Sequence, residues 1–136
     1  YECCVFWTLI TTNHPDIEID IKNCKLDEVI QWLSERLDSV KATGSKGMLH
    51  QFSASYQGHK FAIAVHEKAL GKAWISVWFQ SNTTPWKVDL DCAREASAVL
   101  KAQVRCIASG WQEGDDPDEW WKVEEGQEVK MQWVTD

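Results

Sequence analysis

The sequence predicts an α+β domain built on a mainly antiparallel sheet with two helices packed on one face. Three observations carry that expectation. Several segments alternate apolar and polar residues with the period of a strand. Two others carry an apolar stripe at helical spacing, and the strands follow one another in runs, which favours hairpins over β-α-β crossovers. With 136 residues the chain has the length of a single domain, residues 1–136, burying about two-thirds of the surface its unfolded form exposes.

Residues 3–12, Cys-Cys-Val-Phe-Trp-Thr-Leu-Ile-Thr-Thr, are β-branched and aromatic without a breaker and read as a strand. Asn13-His14-Pro15-Asp16 is turn chemistry. In Ile17-Glu-Ile-Asp-Ile21 the isoleucines face a core while Glu18 and Asp20 face water. From Lys25 to about Val40, residues Leu26, Val29, Ile30, Leu33, Leu37 and Val40 form one helical stripe, with Asn23 or Asp27 as cap. Thr43-Gly-Ser-Lys-Gly47 reads as a flexible connection.

Three consecutive strands follow. Met48 to Gln57 meets His59 to Glu67 across the hairpin turn Gln57-Gly58, and Ala73 to Gln80 is the third. In that third strand Ile75, Val77 and Phe79 share one face, and Trp74, Ser76, Trp78 and Gln80 share the other. A strand this apolar on both faces is either covered on both sides or carries an exposed aromatic patch. Asp89 or Asp91 caps a second helix running to about Ala102, whose Ala93, Ala96, Val99 and Leu100 form a face of small and aliphatic residues. Val104 to Ser109 reads as a strand, Trp120 to Val123 as a short one, and Val129, Met131 and Trp133 alternate in the last.

The most unusual stretch lies between those final strands. Trp111-Gln-Glu-Gly-Asp-Asp-Pro-Asp-Glu-Trp120-Trp121 sets Glu113, Asp115, Asp116, Asp118 and Glu119 between tryptophans. Indole rings contribute large rigid contact area with a polar handle, and neighbouring acids steer a cationic surface toward them. Read blandly, Gly114 and Pro117 make an ordinary solvated turn, and a strand at Trp120-Trp121 sends one of the two rings into the core. A second aromatic candidate is the Trp74 and Trp78 face, with Tyr56 or Phe52 as cross-strand neighbour, and covering by helices or a second sheet is its expected fate.

Composition narrows the classes. Fourteen basic against twenty-one acidic residues give a net charge of −7, which disfavours nucleic-acid phosphates and anionic membrane surfaces and suits a basic protein partner. Nine tryptophans are enough to dominate a core or an interface. Five cysteines without ladder-like spacing read as reduced thiols in a cytoplasmic protein rather than a disulfide framework. No apolar run reaches membrane-spanning length.

Catalytic and metal motifs are not found. His59 and His66 fall on opposite faces of their strand, and the Asp115-Asp116-Pro117-Asp118 run lacks the alternation of a calcium loop. No nucleophile elbow, phosphate-binding glycine loop or zinc signature is present, and nothing calls for a cofactor. Element order from the first helix onward resembles the small acidic secretion chaperones of bacterial type III systems. That likeness is one of order alone and implies a dimer holding an extended polypeptide segment.

The expectation is therefore a bacterial-type, non-catalytic binding protein, monomer or homodimer, that neutralises a basic partner as an immunity protein blocks a toxin. A chaperone-like dimer and a small-ligand-binding domain are the alternatives.

Overall fold

The computed structural model describes residues 16–68, 72–81, 83–107 and 119–132. The strand expected at 3–12 lies outside them. The elements are β1 (Ile17–Lys22), α1 (Leu26–Arg36), β2 (Ser39–Lys46), β3 (Leu49–Tyr56), β4 (His59–Glu67), β5 (Trp74–Phe79), α2 (Asp89–Leu100), β6 (Val104–Ile107), β7 (Glu119–Glu124) and β8 (Gln127–Gln132). The strands form one sheet in the order β2-β3-β4-β5-β1-β6-β7-β8, with every pairing antiparallel. Both helices pack on the same face, so the predicted architecture is the observed one.

The period-two pattern explains the layer. Ile17, Ile19 and Ile21 stand opposite Phe79, Val77 and Ile75 and are buried with them. Phe61, Ile63 and Val65 continue that surface on β4, and Val104, Cys106 and Val123 on β6 and β7. Onto it α1 sets Val29, Trp32 and Leu33, while α2 sets Cys92, Ala93 and Ala96. The small side chains of α2 let its backbone lie close to the sheet. Cys92 and Cys106 are buried free thiols, and burial pushes both well above the ordinary cysteine range.

The two helices are joined by a partly exposed polar clasp beside the apolar layer. The Glu95 carboxylate accepts bonds from Trp32 Nε1 at 3.0 Å, Arg36 Nε at 3.0 Å and Trp86 Nε1 at 3.2 Å. Trp86 packs against Trp32 and Phe79 with ring centroids 5.7 and 5.0 Å away. Each buried indole thereby satisfies its single donor, as a buried tryptophan requires.

Local expectations are corrected at four places. The first helix stops at Arg36 instead of about Val40, because Leu37 turns extended and donates its N–H back to Leu33. Residues 39–46, read in part as a flexible connection, form edge strand β2 paired along β3 with a bulge between Ala42 and Gly44. Neither Asn23 nor Asp27 caps α1. Its first turn is closed by Glu28, whose carboxylate accepts the Lys25 N–H at 3.3 Å. The α2 cap position is Val88, and Asp89 is turned to another use.

Candidate functional site

Side chains on alternate strand positions point away from the helices, and among the described residues no element packs on that face. Cross-strand register lays them out in rows. One row carries Ala64 and Trp78, then Glu18, Ile107, Trp120 and Met131. The next carries His66, Ser76, Asp20, Arg105, Lys122 and Val129. Trp78 is 40% exposed, Ile107 37% and Val129 52%, a concentration of apolar surface beside charges.

A slot opens between β1 and β6. Their pairing covers Ile21 with Val104 and Asp20 with Arg105 and goes no further toward Glu18. Beyond that last pair the strands leave a cavity of about 230 Å³ lined by Asp16, Glu18, Asp20, Asp89, Ile107 and Trp120. Asp89 reaches it from the first turn of α2, where its carboxylate accepts the Glu18 N–H at 3.4 Å. Four carboxylates, one indole and one aliphatic side chain thus converge, and no Lys or Arg is among the described residues lining the slot.

The acids are held by specific donors. Trp78 Nε1 donates to Asp16 Oδ2 at 2.8 Å, which fixes an exposed indole against the rim. Ser76 Oγ donates to Glu18 Oε2 at 3.1 Å. Asp20 is only 3% exposed, and burial together with the neighbouring Glu18 charge pushes its pKa up to about 7. Ser76 and Arg105 act in the opposite direction without reversing the shift. Arg105 is itself held below its ordinary value by burial, and it lies over the Trp74 ring at 4.8 Å.

The residues singled out from sequence are distributed differently. Trp111, Glu113, Asp115, Asp116 and Asp118 lie outside the described residues. Trp120 lines the slot, but strand alternation sends Glu119 and Trp121 to the helix side. There Trp121 packs on the core under Lys130, whose Nζ is 5.2 Å from the ring, and Lys130 also sits 3.9 Å from Glu119. Trp120, Trp121 and Glu119 therefore do not form one surface.

Trp74 and Trp78 share the sheet face opposite the helices, and neither helix covers it. Tyr56 and Phe52 do not join them. Their register with His59 and Ile63 places both on the helix side, where Arg36 lies 5.9 Å from the Tyr56 ring.

Sequence reasoning missed Asp16, Glu18, Asp20 and Asp89 as site residues. The alternation that sent Glu18 and Asp20 away from the isoleucines was visible, but nothing local showed that β6 would end beside them. No group of three or more His, Cys, Asp or Glu with metal-binding geometry occurs among the described residues. No helix of the described chain is long and apolar enough to cross a membrane. No family model matches the chain, and neither does any curated protein or solved structure.

Proposed function

We propose that this chain is a non-catalytic binding protein that captures a basic protein partner at the slot between β1 and β6, on the sheet face opposite the helices. The observation that carries this reading is the convergence of Asp16, Glu18, Asp20 and Asp89 on one slot beside Trp120, with Trp78 at its rim. A lysine or arginine side chain entering there meets carboxylates for its charge and indole faces for its stem. Its charge would also offset the repulsion between Glu18 and Asp20. The net charge of −7 adds long-range steering toward a cationic surface.

In its most specific form this is an immunity-protein-like role in a bacterial cytoplasm, occluding the cationic cleft of a toxin. Free thiols at Cys24, Cys92 and Cys106 suit a reducing compartment. The mechanism is steering by acids followed by anchoring on aromatic rings, with no covalent step.

The test uses an arginine-rich peptide that forms a strand, with association followed by tryptophan fluorescence. Association should be fast at low ionic strength and fall steeply by about 0.15 M salt. Replacing Asp16→Asn and Glu18→Gln together should slow it roughly tenfold at low salt. Equal on-rates for both proteins at every salt concentration would refute the proposal.

A further inference from the structure

We infer that the wedge between α1 and the end strand β2 is a second binding site, one that takes a small hydrophobic amine. It lies on the helix side of the sheet, away from the slot between β1 and β6, and does not depend on how that slot is used.

Connectivity makes the wedge. Only Leu37 and Asp38 separate α1 from β2, so the two elements start side by side, and Leu37 and Val40 pack on the core there. Toward its other end β2 meets the helix with Ala42, Gly44 and Ser45, none of which carries more than a hydroxymethyl group. These residues cannot fill the space beside Leu26 and Ile30, which stand one turn apart on α1. A cavity of about 560 Å³ is left, lined as well by the buried Phe52 of β3. That volume falls within the ~300–1,000 Å³ of small-molecule sites, whose walls are likewise mostly apolar with a few placed polar groups.

The polar groups select the sign of the ligand's charge. His50 stands opposite Ser45 in the β2–β3 ladder, and its Nε2 lies 2.6 Å from Glu67 Oε1. A carboxylate has only lone pairs to offer, so Nε2 carries the shared proton, and in the neutral ring Nδ1 is left as an acceptor. Asp27, in the first turn of α1, adds an exposed carboxylate. Neither Asp27 nor the Ser45 hydroxyl has a hydrogen-bond or ion-pair partner among the described residues. No Lys or Arg is among the described residues lining the wedge. An anionic head group is therefore repelled, whereas an ammonium pairs with Asp27 and finds acceptors for its remaining protons in His50 and Ser45. Its apolar body covers Leu26, Ile30 and Phe52. The net charge of −7 favours the same sign of ligand.

Tryptamine, tryptophol and indole-3-acetate share one ring system and differ in head group, and they provide the test. Binding is read from the methyl signals of Leu26 and Ile30 in carbon–proton correlation spectra. Tryptamine should bind with a dissociation constant on the order of 1 mM, a weak value set by its size, and the alcohol and the acid about tenfold more weakly. Asp27→Asn removes a charge at an exposed position and should weaken tryptamine about tenfold. Ala42→Phe fills the cavity from β2 and should abolish binding. Far-ultraviolet circular dichroism and melting of both variants show whether the fold is retained. Nα-acetyl-lysine amide, an amine on a thin stem, should bind about tenfold more weakly than tryptamine. Equal binding of the two would assign the wedge to a protein lysine and overturn the inference of a free amine. Indole-3-acetate binding as tightly as tryptamine, or tryptamine binding unchanged by both substitutions, also overturns it, as does the absence of methyl shifts at about 10 mM tryptamine. None of these outcomes bears on capture of the arginine-rich peptide, which is judged by its own assay.

Discussion

Burial removes the water that would stabilise the Asp20 carboxylate, and Glu18 sets a like charge beside it. The folded-state pKa of about 7 therefore lies above the unfolded value of 3.8. Stabilisation from a protonated Asp20 is complete below about pH 4 and is lost progressively as pH rises through about 7. Three pH units at ~1.4 kcal/mol each put the loss on the order of 4 kcal/mol. Asp20→Asn keeps the shape without the ionisation, so it should raise the melting temperature clearly at pH 8 and hardly at all at pH 4. A variant less stable than the parent at pH 8 would show instead that Asp20 is ionised and paired with Arg105.

Between elements, Glu95 is the clasp. One carboxylate serves two buried indoles and a guanidinium, tying α1 to α2 and to the segment around Trp86. Glu95→Ala strands those donors and should cost about 2–4 kcal/mol in a denaturant titration, whereas Glu95→Gln keeps an acceptor and should cost less than half as much. Equal losses would mean that the side chain acts by packing alone.

Element scale is also where the sequence was most and least readable. The isoleucines of β1 and the helical stripe of α1 announce themselves, because one face of each is dry and the other wet. Strand β2 did not, since Ser39-Val-Lys-Ala-Thr-Gly-Ser-Lys46 lies at the sheet edge with hardly any residue buried. Its conformation comes from pairing with β3, and exposed polar composition looks the same in an edge strand as in a loop. The slot was hidden for a similar reason. Glu18 and Asp89 are distant in the chain and meet because the β1–β6 ladder stops after two pairs, a property of packing that no local pattern encodes.

At the scale of the whole molecule, the two faces of the sheet differ. One face holds the apolar core and both helices, and the other carries Trp78, Ile107 and the half-buried Trp120 among charges of both signs. The central claim is that a cationic partner docks on that second face. Six of the tryptophans lie among the described residues at 32, 74, 78, 86, 120 and 121, and their indole N–H groups report on the two faces separately. Nitrogen–proton correlation spectra recorded while an arginine-rich peptide is added provide the most direct test. The account predicts that the Trp78 and Trp120 indole signals move or broaden with peptide, while those of Trp32 and Trp86, bonded to Glu95, stay in place. Shifts confined to Trp32 and Trp86, or no indole shift at saturating peptide, would contradict it.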